Sequence, residues 1–298
     1  MTRVTNREDR GDHNGSGEQK EVFMKLVKFL LGVASGAIMI LGVAASGALA
    51  QQADQPKLIE QIKKRGKINV GMSTFVPWAM RDKQGTWIGF EIDVAKKLAT
   101  DMGVELELVP TAWDGIVPSL IAGKFDTIIG GLSITPERQK TVDFTIPYSQ
   151  SGVGVAASKQ LASKMKWPDD YNKPDVTFTC KRGIAACADV QRQFPNATLR
   201  QFDDTAIGFQ EVINGNAHAT VASEPAPTFY VLQNPDQLFQ PTTAYLSANV
   251  EGFALRKGDA EAMDFFNSWI KTNQDNGWLK ERHDFWFRTR DWADRVSQ

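Results

Sequence analysis

Ser133 and Arg138 are the residues whose types and spacing most directly suggest chemistry. Arg138 carries a planar guanidinium fork that matches a carboxylate bidentately, and Ser133 adds a hydroxyl on the same short segment. Both fall in Phe125–Arg138, FDTIIGGLSITPER, which begins as a short apolar run of the kind that forms a buried strand. The run breaks at Gly130-Gly131 and restarts as a helix, with Thr135 suited to the N-cap and Pro136 to the first helical position. A strand ending in a glycine-rich loop exposes backbone N–H groups, and open α/β sheets bind ligands at the carboxyl ends of their strands. The chemistry implied is reception of a small molecule's carboxylate. The same residues also read as an ordinary strand–turn–helix with a surface arginine.

The elements that must position these residues occur twice. Leu120 to Gly130 and Val212 to Ala222 share one design, a helix end, a glycine stop, a short turn and a buried strand. Polar residues follow each strand, Ser133 in the first copy and Ser223-Glu224 in the second. Two α/β lobes of this construction, facing each other, put both strand ends at a central cleft. Val153 to Ala157 and Val250 to Leu255 are the candidate crossings between them. A chain that crosses twice makes the first lobe discontinuous and supplies a hinge. The expected division is 67–150 with 250–298 for one lobe and 151–249 for the other.

Other elements follow from periodicity. Leu58 to Arg65 is a short helix stopped by Gly66, and Lys67 to Met72 a strand. Phe90 to Met102 is an amphipathic helix with Phe90, Val94, Leu98 and Met102 on its buried stripe and Glu91, Lys96, Lys97 and Asp101 facing out. Asp114 is expected to cap a helix that stops at Gly123. Residues 158–175, with Pro168 and Pro174, read as a linker or a partly helical excursion. Asp259 to Asn273 and Trp278 to Trp292 are expected to be helical. Trp269, Trp278, Trp286 and Trp292 are assigned to packing, which is what such aromatic density usually serves.

Composition narrows the class. Across 298 residues, 34 basic side chains face 35 acidic ones, a balance that points to neither nucleic acid nor an anionic membrane. Residues 1–23 read as a polar extension or a misassigned start. Residues 24–50 have the pattern of a cleavable secretory signal, with Lys25 and Lys28, an apolar core from Phe29 to Val43, and Ala48-Leu49-Ala50 before the cut. The expected location is a bacterial periplasm. Cys180 and Cys187 are either a disulfide closing a small loop, which an oxidising compartment favours, or two buried free thiols. Their spacing, with no histidine nearby, gives no reason to expect a metal.

The motifs together resemble a known family. Gly89 to Ala99 (GFEIDVAKKLA), Gly131 to Arg138 (GLSITPER) and Val142 to Tyr148 (VDFTIPY) match segments of the polar amino-acid-binding periplasmic proteins that serve ABC importers, bacterial solute-binding protein family 3. The resemblance spans roughly Gly66 to Trp286. It implies a two-lobed type II periplasmic-binding fold, an α/β architecture in which each lobe is a mixed sheet flanked by helices, joined by a two-strand hinge. It also implies residue roles. Trp113 packs on the ligand and Phe75 forms a second apolar wall. The Gly131 carbonyl and the Ser133 hydroxyl bond the ligand's ammonium and carboxylate. The Ser133 N–H and Arg138 hold the carboxylate, completed by N–H groups near Ile184-Ala185 at a helix N-terminus. Glu224 stands for a family aspartate that pairs with the ammonium. Lys181, with Arg182 beside it, suits an amide or acidic side chain, and Met72 replaces an acid found in several relatives, which disfavours a basic ligand.

The function these features imply is non-catalytic. A monomer captures a small zwitterion, a polar amino acid, closes, and presents it to an ABC transporter permease, with no cofactor and no metal. The alternative is an enzyme on the same fold, similar to cyclohexadienyl (arogenate) dehydratases. Those use a glutamate just after the second-lobe glycine turn as general acid. Here that place falls near Cys187, and no carboxylate precedes Asp189.

Overall fold

The structure, a computed structural model, describes residues 57–296. The extension 1–23 and the signal segment 24–50 lie outside the described residues. The chain begins with α1 (Leu58–Arg65), β1 (Lys67–Met72), the β2–β3 hairpin (Met80–Arg81, Trp87–Ile88), α2 (Phe90–Met102) and β4 (Glu105–Pro110). A 3-10 turn, Trp113–Gly115, runs into α3 (Ile116–Ile121), followed by β5 (Thr127–Ile128), α4 (Pro136–Gln139) and β6 (Asp143–Phe144). Next come β7 (Ser149–Ser158), α5 (Lys159–Ala162), β8 (Thr177–Lys181), α6 (Ala185–Gln193) and β9 (Thr198–Phe202). Then α7 (Thr205–Ile213), β10 (Ala219–Ser223), α8 (Ala226–Gln233) and β11 (Leu238–Phe239) complete the middle of the chain. It returns through β12 (Ala248–Glu251) and β13 (Ala254–Leu255) to α9 (Ala260–Asp275) and α10 (Trp278–Arg288).

Two mixed sheets organise these elements into two lobes. The first has the order β4-β1-β5-β13-β6, with β1 parallel to both β4 and β5 and β13 antiparallel to its neighbours. The second has the order β11-β7-β10-β8-β9, with β8 parallel to β9 and β10 and with β7 antiparallel to β10. Each parallel strand delivers its carboxyl end to a loop. Ser73 follows β1, Gly130-Gly131 follows β5 closely, Arg182-Gly183 follows β8 and Glu224 follows β10.

The chain passes between the sheets where β6 leads to β7 and where β12 leads to β13. These crossings are hydrogen-bonded to each other, Ala248 opposite Gly152 through Glu251 opposite Ser149. Val153 to Ala157, expected to cross, instead pairs with β10 inside the second sheet. Its continuous apolar character reflects burial on both faces of a sheet. The loop before α4 is tied to the hinge. Ser133 bridges Glu251, and the Ile134 N–H donates to the Val250 carbonyl at 2.9 Å.

Each lobe has its own core. Val70, Phe90, Leu98, Phe266, Ile270 and Trp286 lie in the first, and Val155, Phe178, Val190, Phe194 and Val221 in the second. Three of the C-terminal tryptophans are buried, and their ring N–H groups are satisfied. Trp286 donates to Asp93 at 2.7 Å, Trp269 to Asp101 at 2.8 Å and Trp292 to the Trp286 carbonyl at 3.0 Å. The helix expected over Trp278 to Trp292 ends at Arg288, and Thr289 continues in an extended conformation.

Two polar residues depart from the sequence expectation. Glu91, expected to face out, is fully buried, because the hydroxyl of Tyr148 reaches it from the hinge side at 2.7 and 2.8 Å. Helical periodicity places a carboxylate on a face but does not reveal a tyrosine brought over from another segment. Asp114 makes no side-chain cap to either helical segment beside it. It lies at the contact between the lobes.

Candidate functional site

The local chemistry of α4 aims Arg138. The Thr135 hydroxyl accepts from the Arg138 N–H at 3.3 Å, capping the helix, and Pro136 occupies its first turn. Arg138 Nη1 then donates to the Ser133 carbonyl at 2.8 Å. Its Nη2 donates across the lobes to the Gly183 carbonyl at 3.0 Å. Burial lowers the guanidinium's pKa to about 10.

Lys181 reaches back from the second lobe. At the end of β8 it is buried, and its Nζ donates to Ser73 Oγ at 3.0 Å and to the Thr74 carbonyl at 2.9 Å in the first lobe. Burial lowers its pKa, while Asp204 and Asp114 act in the opposite sense. The ammonium also stands 5.8 Å from the centre of the Trp113 ring. Gly183 (φ 79°) abuts the first lobe so closely that an added Cβ would lie 3.2 Å from the Asp114 Cα. The lobes are therefore in contact across the cleft, in a closed arrangement. Among the described residues, neither Arg138 nor Lys181 has a carboxylate within 4.0 Å, although each is at least half-buried.

The remaining predicted residues surround this junction in part. Gly131 (φ 70°) turns the loop beneath Trp78, where a Cβ would approach the indole at 2.8 Å, and its N–H donates to the Tyr148 hydroxyl at 3.1 Å. Ser133 is buried beside it. Phe75 stacks on Trp78 at 6.2 Å and also packs against the second-lobe cluster that contains Phe209 and Ala226. Ala185 opens α6, whose N-cap, Ile184, has no capping side chain. The first turn of that helix is held to the end of β8 by a Cys180–Cys187 disulfide. Arg182 turns away and pairs with Asp203 at 3.1 Å.

Glu224 and Arg138 line different cavities. A cavity of about 270 Å³ is lined by Trp113, Asp114, Leu132, Glu137, Arg138 and Gly183, whereas Glu224 lines another of about 920 Å³ with no lining residue in common. The Glu224 carboxylate lies against Gly154 and accepts from the Thr228 N–H and from Gln240 Nε2, both at 3.3 Å. Ser73 and Asp114, which meet the opposite lobe at this junction, are residues that sequence reasoning missed. Their position at or facing the carboxyl end of a parallel strand was the available signal. Among the described residues no group of three His, Cys, Asp or Glu is arranged to hold a metal ion.

Behind the junction lies a buried acidic pair at the hinge. Ser151 Oγ donates to Glu251 at 2.6 Å, and burial pushes the Glu251 carboxyl up to about 7. Glu91 is raised well above the usual carboxylate range, by burial first, and the Glu251 charge adds to the effect.

Comparison with known proteins agrees with this architecture. The chain is 29% identical over 251 residues to the L-cystine-binding protein TcyJ of Escherichia coli (strain K12), covering 84% of this chain and 93% of that protein. It is 25% identical over 264 residues to a cyclohexadienyl dehydratase of Pseudomonas aeruginosa, covering 85% and 94%. Among solved structures, the ancestral amino acid-binding protein AncCDT-1, a precursor of cyclohexadienyl dehydratase, matches with a TM-score of 0.70 and 38% identity, covering 78% and 99% of the two chains. An ABC-transporter binding component from Wolinella succinogenes, complexed with lysine, matches with a TM-score of 0.72 and 34% identity, covering 77% and 99%. Residues 68–289 match the model of the bacterial extracellular solute-binding proteins, family 3, and the chain belongs to that family.

Proposed function

We propose that this protein captures a small zwitterion, a polar amino acid with a neutral or acidic side chain, between its lobes and presents it to an ABC transporter permease. One observation carries the reading. Two half-buried or buried cations, Arg138 from one lobe and Lys181 from the other, cross the junction without a carboxylate partner. A buried charge is costly unless it is paired, so the ligand is expected to bring the anion. Arg138, the Ser133 N–H and the N–H groups around Ala185 hold the α-carboxylate. Trp113 and Phe75 supply apolar walls, and the Gly131 carbonyl faces the ammonium. Lys181 disfavours a cationic side chain at its end of the cleft. The protein works as a monomer, exported through the segment 24–50, and residues 67–150 with 250–298 move against 151–249 about the crossing strands.

Calorimetric titration with candidate amino acids tests this. Arg138→Ala is expected to weaken binding by about 2–5 kcal/mol, the scale for truncating one partner of a buried charged hydrogen bond. Unchanged affinity removes Arg138 from the site.

The dehydratase relative motivates a second reading, catalysis in the same cleft. Asp189, the nearest carboxylate beyond the second-lobe turn, is a buried residue of α6 engaged by Arg192 and by Ser247 Oγ. It is therefore not free to act as a general acid. Incubation with arogenate or prephenate, followed by absorbance of the aromatic product, is expected to show no turnover. Turnover reverses the assignment.

A further inference from the structure

We propose that Glu91 and Tyr148 are positioning residues for ligand capture, acting from the core through the Gly131 N–H to fix the loop that carries Ser133 and leads into Arg138. The inference rests on the cleft reading above. Neither residue lines the cavity that holds Arg138. They reach the loop through the Tyr148 hydroxyl, which accepts from the Gly131 N–H at 3.1 Å and has one proton to give. That proton faces the Glu91 carboxylate, whose two oxygens lie 2.7 and 2.8 Å away. A carboxylate on one side of a phenol takes its proton and leaves the lone pairs for an N–H on the other. Glu91 therefore sets Tyr148 as the acceptor that the Gly131 N–H needs. Burial raises the Glu91 carboxyl well above the usual carboxylate range, and the bonds from Tyr148 and from the Gly131 N–H act in the opposite sense. An apolar residue fills such a place without that cost, so packing alone does not account for an acid here.

The loop needs an anchor at this point. Its far end is held by the hinge strand, where the Gly252 N–H donates to the Leu132 carbonyl at 3.3 Å and the Ile134 N–H to the Val250 carbonyl at 2.9 Å. Ser133 lies opposite Glu251 between these bonds, a non-hydrogen-bonded pair, so its own N–H and carbonyl point away from that strand. The carbonyl receives Arg138 Nη1 at 2.8 Å, which leaves the N–H on the same edge for a carboxylate. Gly131, at the near end, has its left-handed φ of 70° and no side chain to restrict it. Tyr148 supplies the restraint. It is held in turn by its backbone N–H, which donates to the Glu251 carbonyl at 2.9 Å, and by its ring, stacked on Phe90 at 6.0 Å and 4.8 Å from Phe253.

Two measurements on the exported chain test the roles in wild type, Tyr148→Phe, Glu91→Leu and Glu91→Gln. The first is calorimetric titration with each of the common proteinogenic amino acids, comparing variants with the one that binds wild type most tightly. Affinity should fall about tenfold or more in Tyr148→Phe and in Glu91→Leu. Glu91→Gln, whose amide accepts the hydroxyl proton and donates back to the same oxygen, should stay within about threefold of wild type. The second is hydrogen–deuterium exchange without ligand. The segment from Phe125 to Arg138 should exchange faster in Tyr148→Phe and Glu91→Leu but not in Glu91→Gln, while β8 and β10 of the second lobe keep the wild-type rate. Circular dichroism confirms folding, and if Tyr148→Phe does not fold, the contrast between Leu and Gln at position 91 decides. Undiminished affinity in Tyr148→Phe or Glu91→Leu overturns the proposal. So does a Glu91→Gln variant as weak as Glu91→Leu, or faster exchange spread evenly over both lobes. A wild type that binds none of the amino acids sinks the cleft reading and these roles with it, whereas a wild type that binds and variants that bind equally well sink the roles alone.

Discussion

At the scale of single residues, the chain holds ionisable groups in environments that only a closed, two-lobed structure creates. Glu251 shows the consequence for stability. Its ordinary value of 4.5 rises to about 7 in the fold because burial disfavours the charged form. A carboxyl whose folded value is raised contributes stability that is fully present below its unfolded value and lost as pH climbs through the folded one. The cost between about pH 4.5 and 7.5 is roughly 3 kcal/mol, at 1.36 kcal/mol per pKa unit. Glu251→Gln is expected to flatten this slope and to be the more stable protein at pH 8, measured by urea unfolding at both ends of the range. An unchanged slope assigns the pH dependence to another group, with Glu91 the next to examine. Lys181 is the specificity test at this scale. Lys181→Met is expected to weaken binding of an acidic or amide amino acid about tenfold or more while relieving discrimination against lysine.

At the scale of elements, α6 is positioned by covalent and packing constraints together. The Cys180–Cys187 bond closes a short loop, with a sequence separation of 7, from the end of β8 into the first turn of the helix. Loop-closure entropy for so short a loop amounts to about 2–3 kcal/mol. The double substitution Cys180→Ser with Cys187→Ser is expected to lower stability by about that amount, read from the denaturant midpoint. Ligand affinity should fall with it, since the N–H groups at Ile184-Ala185 lose their fixed aim. A variant that loses stability but binds normally removes that helix terminus from the carboxylate site. The turn at Gly131 is a second constraint. Its left-handed φ and the indole of Trp78 leave no room for a side chain, and Gly131→Ala strains the loop that carries Ser133.

At the scale of the whole molecule, the two sheets come together through reciprocal bridges, Arg138 to Gly183 and Lys181 to Ser73 and Thr74. A ligand that contacts both lobes adds its binding energy to the folded, closed state. At 100 times its dissociation constant it contributes about 2.7 kcal/mol. For a domain pair of this size that corresponds to a rise in melting temperature of roughly 5–10 °C. A thermal-shift screen of amino acids and other zwitterions is expected to return such a rise for the cognate ligand. A panel of polar amino acids without any shift counts against amino-acid capture.

The sequence by itself determined the fold class, the doubled helix–turn–strand design and the turn and helix start from Gly131 to Arg138. These follow from local features, apolar runs, glycine stops and a Thr-Pro helix start, whose physics is confined to a few neighbouring residues. Only the tertiary structure decided the rest. Glu91 is buried because Tyr148 arrives from the hinge, Lys181 spans the cleft because β8 ends opposite Ser73, and Glu224 lies over Gly154 with Gln240 donating to it. In each case the deciding partner is far away in the chain. Periodicity tells which face a side chain leaves from, and the register and closure of two sheets tell what it meets.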